Sequence, residues 1–307
     1  MSAEEPSKNG ALAASAAPRD EKADGPHIEV RSLQKAFGDT KVLTDVNMSI
    51  GRGHIAVIIG GSGAGKTTLL RILIGLERPT SGSVTVSGQD IAGLNDRELN
   101  RMRRKFGMVF QYSALLDSMN VMDNVAFPMR EHTQLSDKEI RQQVTAKLNA
   151  LGLENVEKRF PSQLSGGMRK RVALARALML EPEIIMYDEP TSGLDPVTSR
   201  LVDDLIVDTR KNFGVTSVII SHDMVGALQI ADEIYLLSKG SIVASGSPSE
   251  LMKGNNELLH QFLESSGVTD MSKAIARGAG DARALDKQHE HDRKAAKLVE
   301  ENPKKSD

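Results

Sequence analysis

Residues 54–67 read HIAVIIGGSGAGKT, an apolar run followed by a glycine-rich loop. The run over residues 54–59 is typical of a buried strand in a parallel sheet. The loop fits the pattern G-x-x-x-x-G-K-[ST], and helix-forming residues follow over 67–75. Strand, loop and helix in this order predict a cradle for the phosphates of a nucleotide. Its predicted members are Gly60, Gly61, Ser62, Gly63, Ala64, Gly65, Lys66, Thr67 and Thr68.

The chemistry of such a cradle follows from its residue types. Glycines let the backbone curl until several N–H groups face one anion, and the start of the next helix adds a partial positive charge. Lys66 is expected to meet the terminal phosphates, and the Thr67 hydroxyl is expected to bind Mg²⁺, a hard ion that takes few protein ligands. The sequence therefore implies a nucleotide and magnesium as cofactors.

Two acids follow a second apolar run, IIMYDE, over residues 184–189. A strand ending there would bring both carboxylates to the carboxyl edge of the sheet, where ligands of such folds bind. Asp188 suits a direct or water-mediated role on Mg²⁺, and Glu189 suits a general base that polarises the attacking water. Alone, the pattern would more often be a strand that enters a turn; beside a phosphate loop, it favours hydrolysis.

Alternation of β-branched runs with helical stretches predicts an α/β domain over residues 27–267. Between residues 120 and 180 strand signals give way to apolar spacing near 3.6, which predicts an inserted helical subdomain over about 115–180. Further strands are predicted over 84–86, 106–110, 183–187, 215–220, 233–237 and 241–245, most of them central parallel strands, and helices over 137–151 and 166–180.

The overall composition excludes some classes of protein. The 307 residues include no cysteine, so neither a disulfide framework nor a thiolate metal site is available. The formal net charge of −2 gives no reason to expect a nucleic-acid partner. The longest apolar runs are strand-sized, far short of the ~20 residues that cross a bilayer. With no signal-peptide pattern at the amino end, a cytoplasmic location is expected.

Both ends of the sequence differ from the central domain. Residues 1–26 lack apolar periodicity and predict a disordered tail. Residues 268–307 are charged but nearly balanced in sign, so an electrostatic anchor is disfavoured. Two interpretations stay open for this tail: a disordered or loosely helical segment, or a segment that packs on a neighbouring subunit.

A second glycine motif, LSGGM, occupies residues 164–168 and is followed by RKRVALARA. Its serine hydroxyl and glycine backbone form another anion-binding pattern at a helix start. The whole stretch resembles the signature motif of ABC ATPases. That resemblance implies a cassette with a mostly parallel core sheet, an antiparallel β subdomain and an inserted α-helical subdomain. It also implies that Ser165, Gly166 and Gly167 close on ATP held by a second copy of the chain.

Other landmarks of that family occur in the same order. Phe37 resembles the aromatic that stacks on adenine, and Gln111 resembles the Q-loop residue that senses Mg²⁺ and the membrane partner. Asp195 belongs to a D-loop, SGLD, and His222 resembles the switch histidine that contacts the γ-phosphate. Each also has a plain interpretation, as a loop aromatic, a polar loop residue or a strand-end histidine. The resemblance therefore implies catalytic roles for Glu189, His222 and Gln111, and metal contacts from Thr67, Gln111 and Asp188.

Three segments match a narrower branch: residues 110–116, 120–128 and 130–135 resemble the ATPase subunit of Mla-type phospholipid transporters, as do residues 168–171. This implies a peripheral subunit on the cytoplasmic face of the inner membrane. Its implied partners are multipass permease subunits, an MCE-domain lipid-binding protein and a small accessory subunit, and its implied cargo is phospholipid moving between inner and outer membranes.

Three alternatives share parts of this pattern. The chain could drive another ABC importer or exporter, with the same chemistry and a different permease. It could be a soluble ABC protein acting on DNA or ribosomes, although the long insertions or paired cassettes of that class are not visible. A regulatory cassette that only binds nucleotide would have lost catalytic residues, whereas Lys66, Asp188, Glu189 and His222 are all present.

Overall fold

The computed structural model describes residues 25–253, so the predictions about residues 1–24 and 254–307 lie outside it. In this range the strands are β1 Ile28–Phe37, β2 Thr40–Ile50, β3 Ile55–Ile59, β4 Ser81–Val86, β5 Gln89–Asp90, β6 Phe106–Val109, β7 Ile184–Asp188, β8 Thr216–Ser221, β9 Glu233–Ser238 and β10 Ser241–Gly246. The helices are α1 Lys66–Leu73, α2 Asp96–Arg103, α3 Val121–His132, α4 Asp137–Ala150, α5 Gly166–Ala177, α6 Pro196–Phe213, α7 Met224–Ile230 and α8 Pro248–Lys253, with a 3₁₀ turn at Pro161–Gln163.

The strands form one sheet in the order β5-β4-β1-β2-β10-β9-β3-β8-β7-β6. From β9 to β6 all neighbours run parallel, so the carboxyl ends of β3, β7 and β8 meet at one edge. Strands β3 and β8 are buried along their whole length, as expected for central strands covered on both faces. The predicted α/β class and mostly parallel core sheet are confirmed.

Some details of the strand prediction were wrong. His54 and Phe110 lie outside the strands assigned to them, because those strands begin at Ile55 and end at Val109. β10 is an exception to the parallel pattern expected of most strands, because it pairs antiparallel with β9, meets β2 in parallel at one residue pair and is only half-buried. β4 pairs antiparallel with β1, away from the core strands.

Strands β1, β2, β4 and β5 form an antiparallel lobe. Along β2, Val46, Met48 and Ile50 are buried in alternation with polar residues, the pattern of a sheet with one covered face. Within the sheet, the lobe meets the remaining strands through one ladder pair, Ser241 of β10 with Asp45 of β2. This lobe confirms the antiparallel subdomain that the family resemblance implied.

Helices α3, α4 and α5 fall within residues 115–180, and the limits of the subdomain stay a prediction. α4 starts with a capping box between Ser136 and Glu139, which explains its sharp beginning. Its buried residues Ile140, Val144 and Leu148 are spaced four apart and therefore share one face. Within residues 25–253, no helix has the length and hydropathy needed to span a bilayer.

A polar hub closes the opposite edge of the sheet, at the amino ends of the parallel strands. Glu183 accepts hydrogen bonds from the Ser87 hydroxyl at 3.0 Å and the His27 Nε2 at 3.1 Å, and Lys105 Nζ lies 3.1 Å away. His27 Nδ1 lies 2.6 Å from the Thr216 hydroxyl. Burial alone would raise the pKa of Glu183, but the hydrogen bonds from Lys105, His27 and Ser87 outweigh it and lower the pKa to about 2.

Acid should therefore weaken the fold through this hub. Because the folded-state pKa of Glu183 lies below its ordinary 4.5, its contribution is present above pH 4.5 and is lost as the pH falls toward 2. Burial also lowers the pKa of His27 below 6.5, so protonation of its unfolded form acts in the same direction. We expect Glu183→Gln to cost about 1 kcal/mol of unfolding free energy at pH 7 and to flatten this acid dependence. Denaturant titrations at pH 7 and pH 4 would measure both, with exposed Glu154→Gln as the unaffected control.

Candidate nucleotide site

The phosphate loop is held tightly by its neighbours. A Cβ atom on Gly60 would lie 2.3 Å from the carbonyl oxygen of Leu237 in β9. Gly65 has a φ of 107°, and a Cβ there would lie 2.7 Å from Cδ2 of Leu43 in β2. Glycine is thus required at both ends of the loop, once for space and once for both space and conformation. The loop is wedged between the parallel core and the antiparallel lobe.

Helix α1 begins at Lys66 with no side-chain cap on its first turn. Its first N–H groups have no partners within an α-helix, which makes this end suited to an anion. The Lys66 ammonium donates to the carbonyl oxygens of Gly60 at 2.7 Å and Gly61 at 3.2 Å, so its charge lies at the loop. Thr67 is exposed and Thr68 half-buried beside it. The loop's remaining predicted members, Ser62, Gly63 and Ala64, complete its turn.

Three predicted residues come together here, two at strand ends and Lys66 at the start of α1. Glu189 follows β7, and its Oε2 lies 2.6 Å from Nδ1 of His222, which follows β8. Its Oε1 lies 4.0 Å from Nζ of Lys66. Glu189 has a φ of 49°, a left-handed conformation that costs a non-glycine residue about 1–3 kcal/mol. Its backbone N–H donates to Ile220 at 2.8 Å, which ties the strained residue to β8.

Asp188 lies at the end of β7, beside Glu189. Burial and then the charge of Glu189 raise the pKa of Asp188, while the Lys66 ammonium opposes the rise. A cation near this carboxylate would relieve the repulsion between the two acids. The Asp188 carboxylate and the Thr67 hydroxyl are hard oxygen donors, and such donors fit Mg²⁺.

Gln111 reaches the loop that carries Asp195. Its Nε2 donates to the Ser192 hydroxyl at 2.9 Å. The Asp195 carboxylate caps helix α6 by accepting from the backbone N–H groups of Val197 at 3.0 Å and Thr198 at 3.1 Å. The partner of Gln111 could not be read from the sequence, because Ser192 lies 81 residues further along.

Other predicted nucleotide residues lie apart from this group. Ser165 caps α5 by accepting from the Met168 N–H at 3.3 Å, and Gly166 and Gly167 form the first turn. Among residues 25–253, no hydrogen bond or ion pair joins this turn to the phosphate loop. Phe37 ends β1 with 48% of its surface exposed, and Nζ of Lys35 lies 4.6 Å from its ring centroid.

A buried carboxyl close to Asp223 could not be recognised from the sequence. Asp203 of α6 is 6% exposed, and a Cβ on Gly226 of α7 would lie 3.0 Å from Oδ2 of both Asp203 and Asp223. Burial, and then the charge of Asp223, raise the pKa of Asp203 to about 7, against the opposing charge of Arg200. No sequence signal separates Asp203 from its exposed neighbours, because α6 carries acids on several faces.

Asparagine at position 203 should therefore stabilise the chain in alkali. The folded-state pKa of Asp203 is raised from 3.8 to about 7, so its stabilising contribution is complete below pH 3.8 and is lost as the pH rises through 7. Asp203→Asn cannot ionise, and we expect a gain of about 2 kcal/mol at pH 8 that disappears near pH 4. Thermal unfolding at both values measures it. Exposed Asp208→Asn should change little, and an equal gain at both pH values would contradict the assignment.

The sequence is similar to those of known proteins. Residues 43–192 match the family described as ABC transporter. The chain is 42% identical to the intermembrane phospholipid transport system ATP-binding protein MlaF of Haemophilus influenzae, over 77% of this chain and 90% of that one. It is 43% identical to a probable ribonucleotide transport ATP-binding protein, Mkl, of Mycobacterium leprae, over 78% of this chain and 69% of that one.

Solved structures agree with the fold. The dimeric cassette MJ0796, in a post-hydrolysis state bound to ADP and phosphate, superimposes with a TM-score of 0.64. It is 32% identical, and the match covers 72% of this chain and 98% of that chain. The chain belongs to the ATP-binding subunits of ABC transporters, and it is an ATPase.

Proposed function

We propose that this chain is the ATP-hydrolysing subunit of a phospholipid-transporting ABC system, with Mg²⁺ as its metal. The observation that carries the catalytic part is the meeting of Lys66, Glu189 and His222 at the phosphate loop. The relative from Haemophilus influenzae, matched over 90% of its length, supports phospholipid as the cargo.

In this mechanism each residue has a distinct task. The α1 N-terminus and Lys66 bind the phosphates, and Glu189 accepts the proton of the attacking water. His222 holds the Glu189 carboxylate in place through the 2.6 Å contact. Thr67, Asp188 and Gln111 would hold Mg²⁺, which neutralises charge on the phosphate oxygens when bound. Phe37 offers its exposed ring to the adenine.

A second copy of the chain completes the site. The Ser165–Gly167 turn faces no phosphate loop of its own chain, and the dimeric form of the related cassette supports closure between two copies. Its donors would add to those of the partner's phosphate loop around the charge that develops during hydrolysis. The Asp195 loop is proposed to lie at the same junction.

Ser165 should therefore affect turnover more than binding. We expect Ser165→Ala to lower kcat about tenfold while single chains bind ATP as before, because the contact is made to the other copy's nucleotide. Ser165→Asn retains a helix cap and should lose the same activity, which separates the cap from catalysis. Phosphate release and fluorescent-nucleotide titration measure the two quantities, with exposed Ser162→Ala as control. Equal loss of ATP binding by single chains would contradict the proposal.

The permease is proposed to contact the segment between β6 and α3. Four exposed apolar side chains fall on it or on α3: Phe110, Tyr112, Leu116 and Phe127. Exposed large apolar groups in one segment favour a protein partner. The same segment carries Gln111, so movement of the permease would reach the nucleotide site directly.

Purification of the chain with its companions would test whether the cargo is phospholipid. The tagged chain would be isolated from detergent-solubilised native membranes, and its companions identified by mass spectrometry of proteins, lipids and nucleotides. A multipass permease, an MCE-domain protein, a small accessory subunit and bound phospholipid would establish an inner-membrane lipid system. Because this chain itself binds ATP, only a ribonucleotide bound to the permease or to another companion, without lipid, would favour the function named for the mycobacterial relative. Recovery with ribosomes or nucleic acid alone would refute the transporter proposal.

A further inference from the structure

Two cations of α5 hold the backbone of the loop that contains Gln111. The Lys170 side chain is only 8% exposed, and its ammonium donates to the carbonyl oxygen of Gln111. The Arg176 guanidinium donates to the carbonyl oxygens of Ala114 at 2.7 Å and Ser113 at 3.0 Å. Helix α5 thus binds three carbonyl groups within residues 111–114 of this loop, across 59 to 63 residues of sequence.

The loop conformation needs this support. Ser113 and Ala114 are adjacent residues with φ of 64° and 46°, and each left-handed non-glycine residue costs about 1–3 kcal/mol. The two carbonyl groups that Arg176 binds belong to these same residues. Ser113 is also buried, so the loop is pressed against the helices. Contacts from α5 therefore impose the conformation of this loop.

The far end of the loop is tied to α3. Asn124 is fully buried, and its amide donates to the carbonyl oxygens of Leu116 at 3.0 Å and Met119 at 2.9 Å. Its side-chain oxygen accepts from the Leu116 N–H at 2.8 Å. Both ends of the loop, at Gln111 and at Leu116–Met119, are therefore hydrogen-bonded to helices of the helical subdomain. The Gln111 side chain, through Ser192, is its polar link back to the ATPase core.

Lys170 is an unusual choice for a purely structural position. The Lys170 side chain is buried, and among residues 25–253 no carboxylate lies within ion-pair distance of its ammonium. A buried cation without a counter-charge is costly, and an apolar side chain would avoid that cost. Lys170 also lies five residues after Ser165, about 8 Å along the helix axis.

We propose that Lys170 is a positioning residue for ATP hydrolysis, which fixes Gln111 to the helix that carries the Ser165–Gly167 turn. Gln111, which is proposed to reach the nucleotide of its own chain, and the Ser165–Gly167 turn, which is proposed to meet the nucleotide of the second copy, then move together. This inference rests on the proposed roles of Gln111 and Ser165. Arg176 supports the same clamp by holding the strained part of the loop.

A fluorescent probe can report on the clamp directly. The chain contains no tryptophan, and Tyr112 beside Gln111 is 85% exposed, so Tyr112→Trp places a single emitter on the loop. In the full chain, Lys170→Met should lower the anisotropy of this probe and reduce kcat about tenfold, with the KM for ATP changed less than about twofold. Lys170→Arg should restore both. Exposed Lys158→Met should leave both unchanged. Should Lys170→Met fail to fold, Lys170→Gln takes its place with the same expectations.

A double-mutant cycle separates this proposal from the one it rests on. If Lys170 acts through Gln111, then Lys170→Met should reduce kcat little further in a Gln111→Ala background. Two outcomes would overturn the clamp alone. In the first, the double variant loses kcat by the product of the two single losses. In the second, Lys170→Met keeps its anisotropy and kcat while Gln111→Ala hydrolyses ATP slowly. A Gln111→Ala chain with full kcat would instead refute the proposed role of Gln111, and the link between the clamp and hydrolysis with it.

Discussion

Replacing Glu189 by glutamine is expected to leave ATP binding intact and to slow hydrolysis by about 10²–10⁴-fold. The amide has nearly the same shape as the carboxylate but cannot accept the proton of the attacking water. ATP binding should survive because, in the proposed mechanism, Lys66 and the α1 N-terminus hold the phosphates and Glu189 does not. Steady-state phosphate release gives the rate, and titration with a fluorescent ATP analogue gives the affinity.

The control for this variant is a glutamate outside the site. Glu154 is exposed, and Glu154→Gln should hydrolyse ATP at the unmodified rate. His222→Ala should also slow hydrolysis, since it removes the 2.6 Å contact that orients Glu189, but by a smaller factor because the base remains. Undiminished hydrolysis by Glu189→Gln would remove this residue from its catalytic role.

Adding one methyl group at Gly60 should damage both the fold and nucleotide binding. The new Cβ would lie 2.3 Å from the Leu237 carbonyl oxygen, and neither backbone can yield easily because β3 and β9 are hydrogen-bonded neighbours. We expect Gly60→Ala to cost about 3 kcal/mol, which corresponds to a fall in Tm of about 10 °C. Calorimetry without nucleotide measures this, and ATP affinity should fall as the loop shifts.

Gly61 provides a control within the same loop. A Cβ there would meet no atom within 4 Å, and its φ lies outside the left-handed range. Gly61→Ala should therefore leave the Tm of the nucleotide-free chain nearly unchanged. Similar losses in the two variants would show that the loop tolerates no side chain anywhere, and that the contact with Leu237 is not the cause.

The sequence predicted best what is encoded by neighbouring residues. The phosphate loop and the Asp188–Glu189 pair each occupy one short stretch, and each follows an apolar run that can be recognised as a strand. The sheet then brings their strand ends to one edge by the geometry of parallel pairing, which explains why Glu189 meets Lys66 and His222. For this part of the site, the residue types and the rule that parallel strands bring their carboxyl ends to one edge were enough to predict the grouping.

Features that depend on distant contacts were not predictable. Strands β1 and β2 carry polar residues on their outer face, and β1 has bulges, so neither shows a continuous apolar run. Asp203 and Lys170 resemble ordinary charged residues of a helix surface until the packing shows that both are buried. Their roles come from partners in other elements, and one sequence contains no record of such pairs.

The junction between the antiparallel lobe and the parallel core has a mechanical consequence. It carries one ladder pair, Ser241 with Asp45, whereas β3 and β8 share five. This junction therefore has fewer backbone hydrogen bonds than the pairing between those core strands, and side chains provide the other links. Lobe residues such as Ile28 share one buried apolar cluster with core residues such as Met186, and His27 and Ser87 are bound to Glu183. Phe37 belongs to the lobe and Lys66 to the core side of the junction. A nucleotide that touched both residues would add one more link between lobe and core, so its binding is expected to raise the stability of the lobe.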